Sequence, residues 1–351
     1  MTPFEFIRPA TLAEAVAAGA EPDSRYLAGG TNLLDLMKLG VAVPRRLIDI
    51  SRLPGLDRIE AQPDGGLRIG AMVRNSDLAR DPAVLRGHPA VAEALLSGAS
   101  AQLRNAATVG GNLLQQTRCP YFQDPAAACN RRDPGAGCEA IGGVTRGHAV
   151  LGWTETCIAT HASDFCVPLA ALDARVEIAG PGGTREVGMA ELHPLPDEDS
   201  AGNPAIRPGE VLTALVLPPG SDAFAGHSRY VKLRERTSFA FAVVSAAAML
   251  DMDGGTIRAG RLALGGVAAR PWRVAEAEAL LAGQAPDAEL FDRVAGVLTE
   301  GAHPSGQNGF KIALARRIAV RALVAAAAGT PARMPALPGS VFASEGDLTH
   351  V

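Results

Sequence analysis

Apolar positions along the chain follow a helical period in some stretches and a strand period in others, and the switches mark out elements. Leu12–Ala18 carries a helical pattern, with Thr11 as N-cap and Glu14 at N3, so a capping box predicts a helix there. Arg25–Ala28 is a short apolar strand running into Gly29-Gly30-Thr31-Asn32. Leu33–Leu39 has Leu33, Leu36 and Met37 at helical spacing before Gly40 ends it. Arg46–Ile50 and Leu67–Ala71 read as strands, Asn75 or Ser76 as the cap of a helix around Asp77–Arg80, and Pro89–Leu96 as a helix.

Leu103–Leu114 contains a second Gly-Gly-Asn, at Gly110-Gly111-Asn112, with the composition of residues 28–33. Residues 115–156 then lose all periodicity and are rich in Cys, Arg, Gly, Pro and Asp. Structureless loops beyond about 12–15 residues are uncommon in compact domains. Tyr121, Phe122 and Trp153 argue against disorder, so something other than secondary structure must organise this stretch. Regular pattern returns with apolar Val167–Leu172, alternating Arg175–Ile178 and a strand over Val211–Leu217. After a break at Pro218–Gly226, Tyr230–Leu233, Phe241–Asp251 and Ile257–Gly265 read as a strand meander. Val274–Leu281, Leu290–Leu298 and Ala315–Ala328 read as helices. The expected division is 1–222, with residues 115–157 inserted, then an α+β domain over 223–330 and an extended tail over 331–351.

Composition narrows the function classes. The 351 residues are 47% hydrophobic, enough for sizeable cores, and the net charge of −4 excludes electrostatically driven nucleic-acid binding. Aromatics at 4% give no stacking surface for single strands. The longest apolar run, Phe239–Leu250, is 12 residues, short of the roughly 20 of a membrane helix. The first residues lack a basic region followed by an apolar one, so no export signal of the chain's own is expected. The expected compartment is the cytoplasm, or the periplasm if a signal-bearing partner carries the folded chain out.

All five cysteines, Cys119, Cys129, Cys138, Cys157 and Cys166, fall within residues 119–166. An odd count without a signal peptide argues against a disulfide framework. Clustering points instead to a metal or iron–sulfur site. No C-x-x-C pair occurs, which makes structural zinc the weaker reading, and free buried thiols stay open. Four thiolates on a loop match a [4Fe–4S] cube. His148 and His161 flank Cys157, so either could replace a cysteine ligand, but the preferred reading is hydrogen-bonding or solvent-facing histidines. The two glycine turns read as backbone cradles for an anion with two faces, such as a diphosphate. Neither fits G-x-G-x-x-G, there is no P-loop, and no residue set proposes a general acid or base.

Leu27-Ala-Gly-Gly-Thr-Asn32, Thr108-Val-Gly-Gly-Asn112, Ser163-Asp164 and Tyr230-Val-Lys232, in that order, resemble the FAD-binding subunits of the xanthine dehydrogenase/molybdenum hydroxylase family. The resemblance covers nearly the whole chain. It implies an α+β fold: a p-cresol-methylhydroxylase-type FAD domain of two subdomains, then a domain like the carbon monoxide dehydrogenase flavoprotein C-terminal domain. Asn112 and Asp164 are 52 positions apart, much further than in ordinary members. The intervening segment is similar to that of periplasmic-type aldehyde oxidoreductase flavin subunits with an extra [4Fe–4S] cluster. The family roles place FAD against Tyr26, Leu27, Ala28, Gly29, Gly30, Thr31, Asn32 and Leu33, and against Thr108, Gly110, Gly111, Asn112 and Leu114. Asp164 is expected at the ribityl or ribose hydroxyls, and Leu212 and Lys232 near the isoalloxazine. Cys119, Cys129, Cys138 and Cys157 become the cluster ligands, and Cys166 is left out.

The implied partners are a large subunit with the molybdenum cofactor, a small subunit with two [2Fe–2S] clusters and an external electron acceptor, with no membrane insertion. The implied activity is oxidation of an aldehyde on the partner. Alternatives are the flavin subunit of a xanthine dehydrogenase-like or hydroxybenzoyl-CoA reductase-like enzyme, a stand-alone FAD oxidase, and a zinc-stapled binding module.

Overall fold

The computed structural model describes residues 1–197 and 201–332. The expected tail therefore lies outside the described residues from 333 onward. Thr11 caps the helix Leu12–Gly19: its hydroxyl accepts from Glu14 N at 3.2 Å, and Glu14 accepts from Ala10 N at 2.8 Å. That helix joins β1 (Glu5–Ile7) to β2 (Ser24–Leu27), and both pair in parallel with β3 (Arg46–Asp49) in the order β1-β3-β2.

A second sheet contains β4 (Ile59–Ala61), β5 (Leu67–Gly70), β6 (Arg175–Gly180), β7 (Gly183–Gly188) and β8 (Val211–Leu217) in the order β4-β5-β8-β6-β7. Strand β8 sits between β5 and β6, so residues more than 100 apart share one sheet and the long loop is closed at both ends. The alternating stretch at 175–178 is β6, whereas apolar Val167–Leu172 forms the helix Cys166–Ala171.

The third sheet holds β9 (Ser228–Leu233), β10 (Val244–Asp253), β11 (Thr256–Gly265) and β12 (Trp272–Arg273) in the order β12-β11-β10-β9. Its central strand explains the apolar run. Ala247 and Met249 face the core shared with the first two sheets. Val244, Ala246, Ala248 and Leu250 face the core built with the helices Ala288–Leu298 and Phe310–Ala327. A strand buried on both faces has no polar alternation to show. The break at Pro218–Gly226 is bridged by a 3-10 turn, Ser221–His227.

Candidate functional site

A cavity of about 740 Å³ opens between the glycine turns and the third sheet. Thr31, Asn32, Gly111, Asn112 and Asp164 line it, so five residues expected at the cofactor meet there. The volume lies in the upper part of the ~300–1,000 Å³ range of small-molecule sites.

The two turns differ in what they offer. In the first, Gly30 has φ +73, a left-handed conformation that favours glycine. A Cβ on Gly29 would collide with the Ala106 backbone. Among the described residues, no acceptor engages the N–H groups of Gly29, Gly30, Thr31 or Asn32. Asn32 Oδ1 accepts from Gln116 N at 2.9 Å, tying this turn to the start of the long loop.

The second turn overturns the reading of a twin cradle. Gly110 and Gly111 lie inside a short helix, Val109–Leu113, and its N–H groups are consumed within the protein. Val109 N donates to Val73 O at 2.9 Å, Gly110 N to Ala71 O at 2.8 Å, and Gly111 N to Thr108 Oγ1 at 3.2 Å. Thr108 is thus a helix cap, and Gly110 lets the helix approach Ala71. This segment turns a bare Gly111 and the Asn112 amide to the cavity; Asn112 Oδ1 accepts from Ser163 Oγ at 2.7 Å and from Gln115 Nε2 at 2.6 Å.

Other expected residues stand outside the lining. Tyr26 donates its hydroxyl to Ala15 O at 3.1 Å, fixing the first helix on β2, and burial pushes its pKa up to about 12. Leu27 ends β2, and Leu33 opens the next helix. Ala28 and Leu114 pack against the main core as partly buried residues, and Leu212 is buried in it on β8. The Lys232 side chain is 3% exposed, and its ammonium lies 2.7 Å from Asp164 Oδ2 and 3.1 Å from Ser97 O. Tyr230 donates to Asp164 Oδ1 at 2.5 Å, and its pKa is raised by burial and by that carboxylate. Asp164 is therefore anchored from the third sheet by two side chains.

Sequence reasoning missed most of the cavity wall, including the pairing of Arg118 with Phe241. Arg118 lines the cavity with its guanidinium 5.1 Å from the Phe241 ring, a cation–π contact. Burial lowers the Arg118 pKa, opposed by Asp35. The one local signal was that Arg118 adjoins Cys119, which assigned it to the cysteines alone.

The long loop brings four cysteines together. Cys119, Cys129, Cys138 and Cys157 line one small buried site with Arg131. Cys129 and Cys138 face each other across an antiparallel bridge, and Cys157 bridges to Thr154. Cys119 precedes the short helix Pro120–Gln123. Asn130 braces the turn, donating to Thr156 O at 2.9 Å and accepting from Gly137 N at 2.7 Å. Burial raises the Cys119 pKa to about 11 and also raises that of Cys157, where Arg131 opposes it. Arg131 Nη1 is buried with no hydrogen-bond partner, while its other nitrogens hold Asn203 Oδ1 at 3.1 Å and Gly202 O at 2.6 Å. An orphaned cation beside these thiols fits a group carrying negative charge. Cys119 and Thr117 line both this site and the large cavity.

Thiol spacing discriminates between metals. Four sulfurs around one zinc lie about 3.8 Å apart, given Zn–S bonds of ~2.3 Å. Among the described residues, the set of three potential ligand atoms within 4.8 Å of one another is His161, Cys166 and His193, not any three of the four loop thiols. In a cube each thiolate binds a different iron, so the four need not converge on one centre. The histidine set suits no metal. Ser163 N donates to His161 Nδ1 at 3.2 Å, so a neutral ring carries its proton on Nε2 and has no free lone pair. Burial, then Arg131, pushes the His161 pKa down to about 3; burial, His161 and Arg131 lower that of His193. Cys166 is fully buried, and its pKa is pushed up to about 12 by burial.

Comparison with known proteins decides the family. Residues 2–220 match the FAD binding domain in molybdopterin dehydrogenase, and residues 229–326 match the CO dehydrogenase flavoprotein C-terminal domain. The chain is 47% identical over 330 residues to the aldehyde oxidoreductase FAD-binding subunit PaoB of Escherichia coli strain K12, covering 93% of this chain and 99% of that one. The chain belongs to the FAD-binding subunits of the xanthine dehydrogenase/CO dehydrogenase family. This medium subunit is 29% identical to the carbon monoxide dehydrogenase medium chain of Afipia carboxidovorans, over 83% of each chain. Among solved structures, quinoline 2-oxidoreductase from Pseudomonas putida 86 matches with a TM-score of 0.72 and 27% identity, over 93% of this chain and 98% of that one. The medium subunit therefore binds FAD and is part of an oxidoreductase.

Proposed function

We propose that this medium subunit relays electrons through FAD and a [4Fe–4S] cluster within a molybdenum-dependent aldehyde oxidoreductase. A large subunit with the molybdenum cofactor would oxidise the aldehyde to a carboxylic acid, and a small subunit with two [2Fe–2S] clusters would deliver the electrons here. An external acceptor would then remove them. Flavin supplies the hydride and one-electron chemistry once bound. The chain's own residues bind and position it.

The free N–H groups of Gly29–Asn32 support a diphosphate at the first turn. Asp164 offers its carboxylate as acceptor, and Asn112 its amide N–H donors, to the hydroxyls of the flavin's side chain or ribose. Arginines, Arg118 among them, rather than Lys232, are the cations on the cavity wall. Cys119, Cys129, Cys138 and Cys157 would hold the cluster, with Arg131 balancing its charge. The observation that carries the reading is that Cys119 lines both sites, so one ligand would stand between cluster and flavin. The aldehyde assignment is favoured over xanthine because identity is 47% to the aldehyde oxidoreductase subunit and 29% to a putative xanthine dehydrogenase FAD-binding subunit of the same strain.

The test is purification of the chain expressed with its untagged neighbours. Co-purifying subunits with molybdenum and iron, and aldehyde-dependent bleaching of the flavin band, are expected. A chain that purifies alone, with flavin that an aldehyde does not reduce, would contradict the proposal.

A further inference from the structure

The C-terminal domain holds residues 145–149 in place beside the cysteine site. Lys311 is 1% exposed, on the helix Phe310–Ala327. It donates to His148 O at 2.8 Å, Gly147 O at 3.3 Å and Gly266 O at 2.6 Å. Asn308, fully buried, donates to His148 O and Ala149 O at 3.0 Å each. Gln307 N adds a bond to Thr145 Oγ1 at 2.6 Å. Donors from Lys311 and Asn308 converge on the carbonyls of residues 147–149, and Gln307 ties the Thr145 side chain, which together fix where the His148 side chain must go.

That side chain reaches the cysteine site. His148 is 4% exposed, and its Nε2 lies 3.2 Å from Cys119 Sγ. A thiolate bound to iron carries no proton, so the hydrogen in this contact belongs to His148 Nε2. Hydrogen bonds to the sulfurs are among the levers that set an iron–sulfur potential. The reduced cluster is the more negative form, so a donor stabilises it more than the oxidised form.

We propose that His148 is a positioning residue that raises the cluster's reduction potential through its hydrogen bond to Cys119. This rests on the cluster being bound as proposed above. None of the other three thiols has a histidine donor among the described residues, so the effect falls on the corner that also lines the large cavity.

The test compares His148→Phe, which keeps a ring without a donor, with His148→Gln, which keeps a donor. Each full chain is titrated anaerobically, following the cluster by electron paramagnetic resonance and the flavin by absorbance. His148→Phe is expected to retain its iron. At any fixed potential its reduced-to-oxidised cluster ratio should fall about tenfold, equivalent to about 59 mV for one electron. His148→Gln should recover most of that shift, and the flavin midpoint should stay put in both. An unchanged cluster midpoint in His148→Phe with iron intact would overturn this proposal alone. Loss of iron from both variants would overturn it too. An unmodified chain without iron would overturn the cluster reading and this proposal with it.

Discussion

Lys232 and Asp164 form an ion pair 2.7 Å apart with side chains 3% and 8% exposed, so each charge depends on the other. Strand β9 places Lys232 beneath the Ser163-Asp164 turn, and Tyr230 takes the second oxygen of the same carboxylate. The pair holds the cavity wall in shape. Removing one member of a buried pair leaves an uncompensated charge, at a cost of about 3–5 kcal/mol. Lys232→Met should therefore lower the denaturation midpoint markedly and weaken FAD retention. Adding Asp164→Asn should return part of the stability. Urea unfolding of both variants checks this; a single mutant as stable as the parent would show the pair is not interdependent.

The glycine turns should respond unequally. Gly29→Ala drives a Cβ into Ala106 backbone, and the Gly30 conformation rejects a side chain. Gly111 is exposed to the cavity and meets only Thr108 Oγ1 at 3.0 Å. Gly29→Ala should lose most bound flavin and at least about 2 kcal/mol of stability by overpacking. Gly111→Ala should keep the fold and lose less flavin. Flavin-to-protein ratio by absorbance gives the ranking, and the reverse order would remove the first turn as the main cradle.

Thr108 illustrates what composition cannot carry. Both Gly-Gly segments look alike in sequence, yet whether their N–H groups are free depends on Val73 O and Ala71 O, far along the chain. The Thr11 cap and the run through β10 were legible because a cap is local and a strand buried on both faces stays apolar throughout. Strand β7, Gly183–Gly188, was not, since its pattern is mostly polar and its existence rests on pairing with β6. Clustering revealed the cysteines' shared site. That Cys119 also lines the large cavity is a tertiary fact with no local trace. Thr108→Val should cost about 1 kcal/mol as a lost cap, measured by thermal unfolding.

Lys311 makes stability depend on pH in a defined direction. Burial pushes its pKa down to about 8, below the ordinary value of 10.5. Between those values the unfolded chain binds the extra proton, so folding stability gains as pH rises from about 8 towards 10. The contribution approaches about 1.4 kcal/mol per pH unit. Lys311→Met should remove this slope. Denaturant unfolding of both proteins at pH 7.5 and 9.5 isolates the term; equal pH dependence in the two would contradict a depressed lysine.

With the proposed cluster bound, the loop should order around it. Fixing each residue costs roughly 1–2 kcal/mol of backbone entropy, and iron–thiolate bonds would offset that here. Cys129→Ser should release iron and make residues around 115–156 protease-sensitive, while Cys166→Ser, buried away from the site, should do neither. Limited proteolysis with mapped cleavage sites checks this. Cleavage that ignores Cys129→Ser would mean the loop is held by its polar contacts alone.

The most direct measurement is the iron, acid-labile sulfide and zinc content of the anaerobically purified chain. The proposed cluster, on four thiols that line one buried site, predicts about four irons and four sulfides per chain, and no stoichiometric zinc. One zinc per chain, or no metal with four free thiols, would contradict the account.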